Sequence, residues 1–274
     1  MAPTFPMPSS GRPTRAGARR TRRLLARASF LAFALPLAAP AQNLIWENQG
    51  MTNALGIASG STYAYNGATV TLTWSITTNS SSTFAYAYGS NYVSYQSGME
   101  GGQLGNVLLG FDNSADDRND WITLTLTFSV AQSNLAFSIL DIDTGSWDDG
   151  VDVVYNGSTN VRDTPSVWSY GQSNARLRTV TTDNESYFQG WEGDNSNSDT
   201  NQNYGNINLN FNGISVTSIA IRFFSTDDAD SNPGSQKIGI SDLIEVPEPP
   251  AMAAAALTLL LLAAARRRLK AHFL

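Results

Sequence analysis

The sequence predicts an all-β body, an antiparallel two-sheet sandwich of the jelly-roll kind, and three observations predict it. Apolar and polar side chains alternate with a two-residue period over long stretches. No stretch of the body sustains a helical period. About twelve short strand-like runs are punctuated by Gly, Asn, Asp and Ser, the turn-forming residues.

The alternation is clearest where Ile122, Leu124, Leu126, Phe128 and Val130 are separated by Thr123, Thr125, Thr127 and Ser129. One face of such a strand meets a core and the other carries hydroxyls. Val70, Leu72, Trp74 and Ile76 alternate in the same way with Thr69, Thr71, Thr73 and Ser75, and Ile207, Leu209 and Phe211 alternate with Asn206, Asn208, Asn210 and Asn212. Half-buried strands belong in antiparallel sheets, because strands buried on both faces would be apolar on both. Further strands are expected near 43–46, 83–88, 91–95, 107–111, 134–142, 151–155, 186–189, 216–224 and 237–245. No linker or repeat divides the span from Gln42 to Glu245, so a single sandwich of roughly 200 residues is expected. Between Asp194 and Asn206 the chain is Asn-rich and nearly free of apolar residues, which reads as a long exposed loop.

The 274 residues contain no Cys and one His, His272, which excludes disulfide scaffolds, thiolate metal sites and His-based triads. The net charge of −6 is a sum over unlike regions. All 23 acids lie between Glu47 and Glu248 with only six bases among them, a net of −17 for that segment. So acidic a body repels a phosphate backbone, and nucleic acid is not expected as a partner.

Residues 1–41 read as a signal peptide for the export machinery. Arg12, Arg15, Arg19, Arg20, Arg22, Arg23 and Arg27 precede an apolar run from Ala28 to Ala39, and Ala39-Pro40-Ala41 offers a small-residue cleavage pattern. Thr21-Arg22-Arg23-Leu24-Leu25 partly matches a twin-arginine signal, from which Ala26 departs. Sec and twin-arginine export both stay open.

Three acidic clusters sit where strands are expected to end. They are Asp112, Asn113, Asp116, Asp117, Asn119 and Asp120; then Asp141, Asp143, Asp148, Asp149 and Asp152; then Asp227, Asp228, Asp230 and Asn232. The middle cluster joins two strands through an oxygen-rich turn, and its five carboxylates with backbone carbonyls could supply the six to eight oxygens that calcium takes. It is not an EF-hand, since Gly145 stands at the fifth position and Asp152 at the twelfth. The plainer reading is that Asp and Asn form turns on an acidic surface.

Aromatic side chains are the second candidate. Tyr86, Tyr88, Tyr92 and Tyr95 crowd one hairpin, and Trp147, Trp168, Tyr170, Tyr187, Phe188 and Trp191 fall in or beside expected loops. Flat rings flanked by Asn and Asp suit sugars, with Trp147, Trp168, Tyr170 and Trp191 as the candidate carbohydrate residues; packing at the ends of the sandwich is the alternative. For catalysis only carboxylate pairs remain, such as Asp141 with Asp149, and a dense Asp turn fits a cation better than a raised-pKa acid. The chain is expected not to be an enzyme.

The C-terminus reads Val246-Pro247-Glu248-Pro249-Pro250, then fifteen uncharged residues from Ala251 to Ala265, then Arg266-Arg267-Arg268-Leu269-Lys270. As a helix the apolar run spans roughly 22 Å at about 1.5 Å per residue. That is short of the roughly 30 Å of hydrocarbon, a gap that snorkelling arginines and local thinning can close. The basic cluster is expected to stay cytoplasmic and the body outside. In their order and position, residues 246–274 resemble the PEP-CTERM sorting signal of Gram-negative surface proteins. The resemblance implies recognition by an exosortase, a membrane transpeptidase, with cleavage near Pro247-Glu248-Pro249 and loss of the helix 251–265. Membrane contact would then precede processing, and release would be to the cell surface or extracellular matrix. Such proteins commonly accompany exopolysaccharide, which makes an adhesive or structural role in that layer the leading expectation. A calcium-dependent carbohydrate-binding module and a carboxylate glycosidase follow it.

Overall fold

Sixteen strands follow in chain order in the computed structural model, which describes residues 42–78, 84–113, 120–172, 174–178, 189–194, 196–226, 229–230 and 233–246 and, of the tail, Thr258, Leu259, Leu261 and Leu262. They are β1 (Ser61–Tyr65), β2 (Ala68–Thr77), β3 (Phe84–Ala85), β4 (Val93–Glu100), β5 (Gln103–Asn113), β6 (Trp121–Gln132), β7 (Leu135–Leu140) and β8 (Asp149–Tyr155). After them come β9 (Thr159–Asn160), β10 (Trp168–Tyr170), β11 (Ala175–Leu177), β12 (Trp191–Gly193), β13 (Ile207–Asn210), β14 (Val216–Ser225), β15 (Gly234–Ile240) and β16 (Ile244–Glu245). The chain divides into the units Met1–Ala39 and Pro40–Leu274, and every described residue belongs to the second. The expected signal peptide, Pro247, Glu248 and Pro249 of the sorting motif, and Arg266, Arg267 and Arg268 lie outside the described residues; Val246 lies just inside them. The four described tail residues have helical backbone, and among the described residues no helix is long and apolar enough to cross a membrane.

The strands form two antiparallel sheets packed as a sandwich. One runs β1-β2-β6-β14-β8-β12-β11 with β9 beside β8, and the other runs β10-β13-β7-β15-β5-β3 with β16 beside β7 and β4 beside β5. Alternating residues from both sheets meet between them. Leu72, Leu124, Leu126, Ile221 and Val153 of the first sheet and Val107, Leu109, Ile139, Leu209 and Ile238 of the second are all buried in one core. Phe111 and Phe223 reach across from opposite sheets with ring centroids 4.8 Å apart. Buried aliphatic and aromatic area of this kind contributes about 1.5–3 kcal/mol per side chain.

Three expectations need correction. Val130 is not a core residue but 60% exposed. The β14–β6 register shifts between Val216 and Ser218, and this turns Gln132 inward in its place. Ile76, near the end of β2, is 40% exposed, where the expected alternation would bury it. The stretch 194–206 is not a free surface loop. The Ser198 amide donates to Asp143 Oδ2 at 2.6 Å, the Gly102 amide to the Thr200 carbonyl at 2.9 Å and the Ile142 amide to the Gly205 carbonyl at 3.0 Å.

Register also fixes where the links between sheets run. Asn113 at the end of β5 pairs with Gly234 at the start of β15, Ser225 at the end of β14 pairs with Asp149 at the start of β8, and the Thr226 and Asp230 amides beyond β14 donate to the Asp148 and Ser146 carbonyls in the link from β7 to β8. The links β5–β6, β7–β8 and β14–β15 therefore cross between the sheets at one end of the sandwich. Asp112, Asn113 and Asp120 of the first acidic cluster, Asp141, Asp143, Asp148 and Asp149 of the second and Asp230 of the third stand at this end, while Asp116, Asp117, Asn119, Asp227, Asp228 and Asn232 lie outside the described residues.

Candidate functional site

The link from β7 to β8 builds the floor of the site. Asp141, with φ of +65°, turns the chain out of β7 in a left-handed conformation that Asp tolerates better than most residues. Its amide donates to Asn206 Oδ1 at 3.2 Å, while Asn206 Nδ2 donates to the Gly101 carbonyl at 2.8 Å, which ties the turn to the β4–β5 hairpin. Two residues on, the Asp143 carboxylate accepts from Trp147 Nε1 at 2.8 Å and from the Ser198 amide. The Asp149 amide closes the turn on the Asp143 carbonyl at 3.0 Å. Gly205 lies against Ile142 so closely that an added Cβ would overlap the Ile142 carbonyl. The absence of that Cβ is what lets the 194–206 segment seat on the turn.

Four of the five candidate metal carboxylates are brought together and one is not. Asp141, Asp143, Asp148 and Asp149 are all buried in the turn or at its end. Asp148 accepts from the Thr226 hydroxyl, joining the β14–β15 link to the floor. Asp152 has the opposite parity on β8 from the core residues Val151 and Val153. It meets Arg222 Nη1 at 2.9 Å and Asn160 Nδ2 at 2.7 Å on the outer side of its sheet. Among the described residues no group of three or more acidic side chains is arranged to hold a metal ion.

Sequence reasoning missed two members of the site. Glu100, fully buried at the end of β4, receives a hydrogen bond and ion pair from the Lys237 ammonium on β15, and that ammonium lies 4.0 Å from Asp141 Oδ2. The Lys237 ammonium thus offers its positive charge to both carboxylates.

The electrostatics follow from this crowding. Burial first, then the hydrogen bond and charge of Glu100, push Asp141 up to about 9 from an ordinary 3.8. Burial, followed by the charges of Asp143, Asp141 and Asp148, raises Asp149 well above its ordinary value. Burial also raises Asp143, against the hydrogen bonds from Trp147 and Ser198. In Asp149, Oδ2 has only a long 3.4 Å contact with the Asp143 amide, and Oδ1 has no hydrogen-bond partner although it is buried.

Above this floor lies a cavity of about 570 Å³, walled by Tyr88 and Trp147 and roofed by residues 197–201. A second cavity of about 490 Å³ adjoins it through Asn201, and a third of about 420 Å³ adjoins the second through Gln103 and Asn208. Together they form a run of hollows lined largely by side-chain amides and hydroxyls. Of the candidate carbohydrate aromatics, Trp147 lines the first hollow and Trp168 the third. Tyr170 is 38% exposed and packs edge-on against Trp168 at 5.3 Å. Trp191 is fully buried beneath Trp168 and presents no face to a ligand. Tyr88, grouped in the sequence only with its neighbouring tyrosines, is the ring that faces Lys237, 5.6 Å from its ammonium.

Chemically, the first hollow offers acceptors in excess of donors, two aromatic walls and one ammonium already engaged by Glu100. Comparison with protein-family models, with curated proteins and with solved structures found no match for the chain.

Proposed function

We propose that this chain is an exported surface protein, released from a membrane-bound precursor by an exosortase, whose jelly-roll-like body is adhesive in an exopolysaccharide layer. The observation that carries the adhesive part is the run of three adjoining hollows lined by amides, hydroxyls and aromatic rings. Hydroxyl-rich chains are held by such a lining, through hydrogen bonds to their hydroxyls and apolar contact with their ring faces. The location is supported by the tail, where Val246-Pro247-Glu248-Pro249, an apolar run over 251–265 and Arg266, Arg267 and Arg268 follow one another in the order a PEP-CTERM signal has. In this reading residues 1–41 are removed on export and the helix is a temporary tether.

Two measurements test the proposal separately. The intact mass of the protein recovered from cells is expected to correspond to a C-terminus between Pro247 and Pro250, and a mass that runs through Leu274 overturns the sorting claim. Purified protein is expected to be retained on exopolysaccharide of the producing cells, with retention weakened about tenfold by Trp147→Ala. Failure to be retained on any polysaccharide overturns the adhesive claim.

A further inference from the structure

We infer that the first hollow binds an amino sugar whose amine is free, so that the polysaccharide held by this protein is one carrying unacetylated amino groups. This rests on the adhesive reading and narrows it to a substrate class. Asp149 Oδ1 is buried without a partner beneath the hollow, and the Asp141 and Asp143 carboxylates line the same hollow. A cation seated beside Asp149 and Asp141 offsets the cost of ionising them in a buried place, and an ionised carboxylate only accepts, so the group that completes this floor donates hydrogens and carries positive charge. Lys237, the one basic residue among the described residues that line the hollow, is already engaged with Glu100.

The shape of the site chooses among cations. A metal ion needs its oxygens gathered about one point, whereas Asp143 is held by Trp147 Nε1 and the Ser198 amide and Asp148 by the Thr226 hydroxyl. The hollow, at about 570 Å³, is far larger than an ion and has aromatic walls, Trp147 and Tyr88, that an ion alone would not use. An ammonium carried on a sugar ring uses every part. The charge sits over Asp141 and Asp149, the ring lies against an indole face with a cation–π contribution, and the hydroxyls reach Ser198 and Asn201 on the roof. The second hollow, lined mainly by amides, and the third, lined by amides, hydroxyls and apolar side chains including Trp168, can take the neighbouring sugars of the same chain. A body at −17 repels uronate and sulfate polymers and draws a cationic one.

The test uses the protein recovered from cells and two tetramers of the same β-linked backbone, glucosamine and N-acetylglucosamine, which differ in the amine alone. In titration calorimetry at low salt and neutral pH, the glucosamine tetramer is expected to bind at least about tenfold more tightly than its acetylated counterpart, and to weaken as salt is raised. Asp149→Asn is expected to remove that preference while leaving a cooperative thermal melt. Equal affinity for the two, a preference for the acetylated tetramer, or no binding of glucosamine overturns the inference. So does calcium binding that depends on Asp149 and excludes the glucosamine tetramer. The adhesive reading survives any of these results if exopolysaccharide is still retained, and falls only if nothing is.

Discussion

The threonine face of the first sheet and the acidic end of the sandwich use the same strands in opposite ways. On the outer face of β2 and β6, Thr71 stands opposite Thr127, Thr73 opposite Thr125 and Ser75 opposite Thr123, all hydroxyls that water can satisfy. Each of these residues needs nothing from its neighbours beyond a modest cross-strand contact. At the acidic end the polar groups are buried, and Asp149 is crowded by the charges of Asp143, Asp141 and Asp148. The difference teaches where this molecule stores unfavourable energy. Buried carboxylates at one end of an otherwise conventional sandwich are tolerable only where a proton or a positive charge neutralises them.

The contrast can be broken first at the core both regions share. Phe223→Ala opens a hole where its ring meets Phe111 and is expected to lower stability by about 3–5 kcal/mol in denaturant unfolding. A loss near that of a surface substitution would show that the sheets do not pack as described. Next in size is Gly205→Ala, whose Cβ would overlap Ile142 and lift the 194–206 segment from the floor. The expected loss is about 1–3 kcal/mol, with hydrogen exchange rising in that segment before the rest of the body. Uniform exchange across the molecule would count against a seated roof.

The pH dependence comes next, and its sign is opposite to that of a paired carboxylate. A folded value for Asp141 of about 9 against an ordinary 3.8 means that the folded protein holds more protons between those limits. The stabilisation is complete below about pH 4 and is lost as pH rises through 9, so melting temperature should fall across that interval. Asp149→Asn should flatten the slope, and a melting temperature that climbs over the same range would contradict the site's electrostatics. The smallest effect belongs to Thr125→Ala on the hydroxyl face, expected to change stability by no more than about 0.5 kcal/mol.

What could be read from the sequence follows the same division. β2, β6 and β13 were legible because exposure and burial alternate with the chain, and the turn through Asp141 and Asp149 was legible as oxygen-rich. The pairing of Glu100 with Lys237 joins residues 137 apart, and no local pattern carries it. Val130 was misplaced because a register shift depends on the partner strand. The 194–206 stretch looked exposed because hydropathy cannot register polar residues buried by backbone hydrogen bonds, as Ser198 and Asn206 are. Trp191 looked available because its three-residue strand is too short to show a period.

The central claim is that the acidic end is built for a cationic ligand at the expense of stability. Thermal melts of the protein and of Asp149→Asn at pH 8, each with and without the glucosamine tetramer, test it most directly. Without ligand the variant is expected to melt higher, because the cost of burying the Asp149 carboxyl is gone, and saturating tetramer is expected to raise the unsubstituted protein by more than the variant. A variant that melts lower and is raised by the tetramer as much as the unsubstituted protein would contradict it.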